Sequence, residues 1–261
     1  MPDSAALNES QHHAVREVTL GDPLRWLARG WHDFVRRPGP GLLHGFVLTM
    51  FGGVLLAVAH DRFWLLAGAF SGFLLMAPIA ATGLYAVSRA LERQEPATMA
   101  VALRTWIPTD HRLVLFGLLL SAAGTGWVLT SAGLITSLAD GAVRDPVDFV
   151  RHVMLSQRSW LFEAWLALGG AMAAPVYASS VVSIPLLLDR SIGVLGAVLT
   201  SWRCVLANPA PLALWAALLI ALAGLGMLTG FGLMIVVPWL AHASWHAYRD
   251  LVSDSSLDAL D

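Results

Sequence analysis

Lysine is absent from the sequence, and all 16 of its basic residues are arginine. Cysteine occurs once, as Cys204, which excludes an internal disulfide and any cysteine-based zinc or iron–sulfur site. Charge is scarce: Asp, Glu, Lys and Arg make up 13% of the chain, against about 25% in an ordinary soluble domain. The formal net charge of −2 offers no field that would gather nucleic acid, and no nucleic-acid partner is expected. Met1 to Asp22 holds no apolar run of the kind a cleavable signal peptide needs. No Walker loop, G-x-G-x-x-G, G-x-S-x-G or H-E-x-x-H occurs, so the familiar sequence signatures of nucleotide binding, acyl hydrolysis and zinc proteolysis are missing.

What the chain has in excess is apolar residues, 57% of 261, and a water-soluble fold would need more polar surface than this leaves. A helix needs about 20 apolar residues to cross about 30 Å of hydrocarbon. The segments between Arg37 and Asp61, Arg62 and Arg89, Arg112 and Asp140, and Glu163 and Asp189 contain no charged residue, and each accommodates one span. The segment between Arg203 and Arg249 is long enough for two, with Thr229, Gly230 and Gly232 as the turn. Six transmembrane helices are predicted, at about 42–59, 63–88, 113–139, 161–187, 211–228 and 231–248. LVLFGLLL from Leu113 and LALWAALLIAL from Leu212 are apolar all round, which fits lipid on every side. Arg16, Arg25, Arg29, Arg36, Arg37, Arg89, Arg93, Arg104, Arg112, Arg190, Arg203 and Arg249 fall on the side of the termini, and only Arg62, Arg144, Arg151 and Arg158 on the other. The positive-inside rule then places both termini in the cytoplasm of a bacterial inner membrane. Trp64, Trp160, Trp165 and Trp239 fall near span ends, where an interfacial belt would have them.

A repeat underlies the spans. Trp31-HDFVRR-Pro38-G-Pro40 and Trp202-RCVLAN-Pro209-A-Pro211 are both W-x6-P-x-P, and both lead into a span. Pro78 is followed by Tyr85, Arg89 and Leu91 at the spacing with which Pro238 is followed by Trp245, Arg249 and Leu251. A fainter middle copy contains Trp106 but lacks the prolines. The fold class read from this is all-α: three parallel units, about 23–91, 96–188 and 190–251, each an amphipathic helix followed by a transmembrane hairpin. Leu24, Leu27, Trp31 and Phe34, and likewise Ile192, Leu195, Leu199, Trp202 and Leu206, recur at one-face helical spacing. Each such helix is expected to lie along the cytoplasmic interface with arginines toward water. The spans form one membrane domain over 23–251, with a disordered polar tail at 1–22 and a second tail at 252–261.

Four stretches carry a family resemblance: GWHDFVRRPGPGLLHG, SGFLLMAPIAATGLYAVSRALERQEP, SVVSIPLLLDR and PWLAHASWHAYRDLV. Together they resemble the bacterial integral membrane family called domain of unknown function 2189, over about 23–251. The resemblance implies a multi-spanning inner-membrane protein and no established activity, so it transfers no catalytic residue. Some members carry the label of cytochrome c oxidase components. The helix–hairpin plan is also similar to membrane domains attached to glycerophosphodiester phosphodiesterases.

Few residues offer chemistry. His242 and His246 stand i, i+4 on one helix face, a spacing that suits a metal, and His44 lies at similar depth as a third ligand. The same histidines read equally as interfacial groups bonding to backbone or water, and no metal or other cofactor is expected. Glu163 adjoins a long apolar run, with Arg158 or Arg62 as its natural partner; an acid within the bilayer is costly and marks a polar site. Gly41-LLH-Gly45, Gly68-AFS-Gly72 and Gly226-MLT-Gly230 let helices approach closely, and packing inside the chain is the expected use. Pro78, Pro175, Pro185 and Pro238 fall in the second helix of their hairpins and shape it. Three functions fit: a non-catalytic accessory or assembly factor acting through helix packing; a small transporter or channel lined by Thr82, Ser88, Thr125, Ser179, Ser180 and Ser183; and a membrane enzyme or redox accessory using His44, His242 and His246. The bilayer, and other membrane proteins in the first case, are the partners.

Overall fold

The computed structural model of the chain describes residues 2–11, 13–59, 81–105, 110–156 and 160–254. They form an all-α membrane protein apart from one pair of short strands. Among the described residues four helical stretches are long and apolar enough to cross a bilayer: Pro38–Leu55, His111–Leu138, Trp160–Asp189 and Pro209–Leu228. The expected span 63–88 lies mostly outside the described residues, and only its end, within the helix 81–92, is seen. The expected span 231–248 is a helix of similar length that is not among the four, because His242, His246, Arg249 and Asp250 make its second half polar. Contacts gather the chain into two compact units, one within Met1–Thr49, Pro78–Phe116 and Tyr177–Asp261, the other within Met50–Ala77 and Gly117–Val176.

In the first unit α1 (Pro2–Gln11) and β1 (His13–Val15) precede α2 (Asp22–Arg36), which leads into α3 (Pro38–Ala59). Helix α4 (81–92) and the short α5 (Met99–Arg104) follow. Later come the end of α8 (Trp160–Ser180), then α9 (Ser183–Asp189), α10 (Val194–Ala207), α11 (Pro209–Leu228), α12 (Leu233–Leu251) and β2 (Val252–Asp254). Both W-x6-P-x-P motifs break the helix at the same offset, at Arg37 before Pro38 and at Asn208 before Pro209. Proline disfavours the helical conformation at the residue before it, yet its fixed φ suits the first turn of the next helix.

Helix α12 is the centre of this unit, and α2 packs on it most extensively. The helices meet at backbone distance. A methyl group added at Gly30 would come 2.4 Å from Ala243 N, and one added at Gly45 would come 2.1 Å from Met234 O. That carbonyl is the one Pro238 leaves without its i−4 hydrogen bond. The Gly41/Gly45 pair therefore does what its spacing predicts, with Gly41 against Phe34 and Pro238. Gly226 packs against Leu233 and Val236 of the same hairpin, whereas Gly230 serves the turn, at φ +67 with nothing within 4 Å of an added methyl. Gly68 and Gly72 lie outside the described residues.

The first tail is ordered rather than disordered. Strand β1 pairs antiparallel with β2, His13 opposite Asp254. Helix α1 packs on α10, where Arg203 donates to the carbonyls of Ser10 (2.6 Å) and His13 (3.2 Å), and Gly193 N donates to Glu9 (3.0 Å). Asn208 accepts from Val18 N and donates to Arg16 O. A polar segment buries little apolar area, and here hydrogen bonds to distant backbone hold it, which composition does not reveal. Arg203→Ala is expected to speed amide exchange across residues 2–15 by about tenfold, the loss of one to two charge-assisted bonds, with α11 unchanged.

In α2 the buried residues include Trp26, Leu27, Gly30, Asp33 and Phe34, while Leu24, Trp31 and Val35 are exposed. In α10, Gly196, Ala197, Thr200, Ser201 and Cys204 are buried, and Leu195, Trp202 and Leu206 face out. The stripes are split: Leu27, Phe34 and Ile192 are buried, while Leu24, Trp31, Leu195, Trp202 and Leu206 face out, and small or polar residues beside them allow close approach. The expected span 161–187 lies within the single apolar stretch Trp160–Asp189, whose helix is interrupted between α8 and α9: Pro185 has no N–H for the Val181 carbonyl, and Val182 N donates to Ser201 Oγ (3.2 Å).

The second unit contains most of α6 (His111–Leu138) and of α8, joined through α7 (Pro146–Phe149) and a π-helical turn, Val150–Met154. Asp145 caps α7 by accepting from Asp148 N (2.8 Å). Ile135, Val143, Val153 and Leu161 form its core. Trp165 donates to Ser131 Oγ (2.7 Å) and packs against Trp127, Phe149 and Phe162.

Candidate buried polar site

Asp33 of α2, Ser88 of α4 and the His242/His246 pair of α12 meet in the first unit. The i, i+4 spacing puts both imidazoles on the face of α12 that α2 and α4 cover. Ser88 Oγ donates to Asp33 Oδ2 (2.7 Å) and lies 2.8 Å from His242 Nδ1; His246 Nε2 lies 2.9 Å from the same Asp33 oxygen. Ser88 and His242 are fully buried. Burial pushes the Asp33 carboxyl up, but the hydrogen bonds from His246 and Ser88, with the charges of His246 and His242, outweigh it and hold the carboxyl below its ordinary value. Asp33 is therefore ionised at neutral pH.

That charge fixes the direction of every bond. A carboxylate only accepts, so Ser88 gives it its proton and His246 its Nε2–H. Ser88 Oγ then accepts from His242, whose proton must sit on Nδ1. Nε2 of His242 is left as a bare acceptor, buried and with no hydrogen-bond partner among the described residues. In a hydrolytic triad the imidazole takes the serine proton; here it donates to the serine, and the serine is inaccessible. The arrangement can accept a proton or a donor group at His242 Nε2. It can also pass a proton along Nδ1, Ser88 and Asp33.

His44 is the third predicted histidine. It sits near the start of α3, buried, with Nδ1 2.7 Å from Pro40 O. Its ring lies over Gly83, where an added methyl would come 2.6 Å from Nε2, and it is within electrostatic reach of His242. Among the described residues no group of three or more His, Cys, Asp or Glu could hold a metal ion. Glu163 lies in the first turn of α8 and is exposed; Arg158 and Arg62 lie outside the described residues.

Thr82, Ser88 and Ser183 are buried in the first unit. Ser179 accepts from Trp202 Nε1, Ser180 donates to Tyr177 O, and Thr125 is exposed and donates to Ser121 O of its own helix. Asp33 and Ser88 are the functional-site residues that the histidine spacing missed as partners.

No curated protein and no solved structure matches the chain. A family match covers its middle, so Asp33, His242 and His246 lie outside the matched segment while Ser88 lies within it. Over residues 65–189 the chain matches the family described as "Predicted integral membrane protein (DUF2189)", the same one that its four motifs resemble.

Proposed function

We propose that the chain is a bacterial inner-membrane protein, threaded six times with both ends cytoplasmic, that acts as a non-catalytic accessory or assembly factor through helix packing. The observation that carries this reading is the direction of bonding at Asp33: a carboxylate, a hydroxyl and two imidazoles are turned on one another to hold α2, α4 and α12 together. The pairing of β1 with β2 supports both ends on one side of the membrane, as an even number of crossings would have them. The distribution of arginines supports a cytoplasmic side. The identical break in both W-x6-P-x-P motifs and the contact of Tyr85 with its counterpart Trp245 (ring centres 6.5 Å apart) support the repeat. Leu118, Leu129, Leu166, Ile220 and Leu225 are exposed apolar side chains for lipid or partner helices to cover.

In-cell photo-crosslinking from Leu129 and from Ile220, combined with purification in mild detergent, tests the proposal. One and the same membrane protein should be captured from the chain and should co-purify with it. Adducts to lipid alone, with a partner-free chain in every detergent, would count against it.

A transporter is the second reading, and His242 Nε2 favours it, as a buried acceptor linked through Ser88 to Asp33. Proteoliposomes given an acid pulse should then acidify faster with the wild type than with His242→Ala. Equal rates would remove this reading.

A further inference from the structure

A second charged cluster lies away from the Asp33 site, where α4, α9 and α12 end. Asp189, at the end of α9, has a side chain only 2% exposed, and four arginines converge on it. Arg93 and Arg190 approach to 3.4 and 3.3 Å, and Arg89 and Arg249 to 3.8 Å. Tyr248 OH donates to the same carboxylate (2.9 Å). Arg249 has a further acidic partner, Glu92 (3.0 Å).

The stoichiometry is unusual. Among the described residues these four guanidiniums face the carboxylates of Asp189 and Glu92; Arg190 makes a further interaction, and Arg89 also donates to the Leu188 carbonyl (3.1 Å). Each guanidinium carries five N–H donors, whereas one carboxylate has about four acceptor sites, so Asp189 uses only a fraction of what surrounds it. The arginines are not buried with it: Arg93 is 55% exposed along its side chain and Arg249 34%. A buried acid thus anchors a cationic rim that opens outward. Planar guanidiniums bind two oxygens at once, which a chloride cannot offer, and a phosphate presents more oxygens and more negative charge to several guanidiniums than a carboxylate does. Arg89 and Arg249 occupy equivalent places in the two clearest repeat copies, eleven residues after Pro78 and Pro238. The depth of the rim rests on the proposed six-span topology, in which it sits where the second helices of the hairpins leave the membrane, at the depth of lipid headgroups.

We infer that Arg89, Arg93, Arg190 and Arg249, organised by Asp189, form a binding site for a phosphate group. The group is supplied by an anionic phospholipid headgroup or by a soluble phosphate.

The full-length chain is studied in neutral detergent. In the lipid arm, native mass spectrometry measures retained phosphatidylglycerol against phosphatidylcholine. In the soluble arm, the thermal unfolding midpoint is compared in inorganic phosphate and in chloride at equal ionic strength. The wild type should retain phosphatidylglycerol selectively, and Arg93→Gln/Arg190→Gln should weaken retention by about tenfold or more, the scale of two lost charge-assisted bonds. Arg37→Gln, an exposed arginine elsewhere on the same predicted face, should leave it unchanged. A midpoint raised by phosphate in the wild type and not in the double variant, without selective lipid retention, assigns the site to soluble phosphate. Wild-type protein that discriminates in neither arm overturns the inference. So does an Arg37→Gln variant that loses as much as the double variant. Both wild-type measurements stand without any variant, so a misfolded variant leaves the outcome decided.

Discussion

Alanine at Gly30 or Gly45 is expected to destabilise the chain by about 2–3 kcal/mol, whereas alanine at Gly126 should stabilise it slightly. All three glycines are helical, and replacing glycine in a helix interior gains about 1 kcal/mol from backbone entropy. Space decides the sign. At Gly30 the new methyl would meet backbone N and Cα of Ala243 at 2.4 and 2.6 Å, and at Gly45 the backbone of Met234 at 2.1 Å. Backbone atoms cannot rotate aside, so α12 would have to move, and overpacking of this kind costs about 1–3 kcal/mol or more. At Gly126 an added methyl meets nothing within 4 Å. Reversible unfolding in mixed micelles gives all three differences in one series. Equal small effects at Gly30 and Gly126 would mean that the α2–α12 contact does not hold the fold together.

The same comparison shows what the sequence made legible. Proline acts on its own neighbours, so Trp31-x6-Pro38 and Trp202-x6-Pro209 could be read as breaks, and the breaks fall where expected. Gly41/Gly45 was legible as a close-approach stripe because its spacing lies within one helix. The period of α2 and α10 marks their apolar residues but not what the opposite residues touch: Leu24, Trp31, Leu195 and Leu206 are exposed while Gly30, Asp33, Thr200 and Ser201 are covered by the rest of the chain, and such contacts far along the sequence leave no local signal. At the polar site the His242/His246 pair was visible by its period. Asp33 and Ser88 were not, because nothing local ties them to histidines far along the chain. For the same reason the pairing of Val15 with Val252 could not be foreseen.

Asp33→Asn should cost about 3 kcal/mol near neutral pH, the scale of removing the charged partner from a buried hydrogen-bonded group. The amide keeps the shape and loses the charge that both Ser88 and His246 address. The pH dependence separates charge from shape. The Asp33 carboxyl in the folded chain titrates below its ordinary 3.8. A carboxyl depressed on folding contributes stability that is complete above its unfolded value and disappears as pH falls through the folded value. The gap between wild type and Asp33→Asn should therefore stay constant from neutrality down to about pH 5 and narrow below pH 3.8. Ser88→Ala supplies the second axis of a double-mutant cycle. Because Ser88 donates to Asp33 and accepts from His242, the two substitutions together should cost less than their sum by about 1 kcal/mol. A gap that does not change with pH, or strict additivity, would show that Asp33 fills space in the α2–α12 contact and does not organise the histidines, and the proton path through Ser88 would lose its anchor.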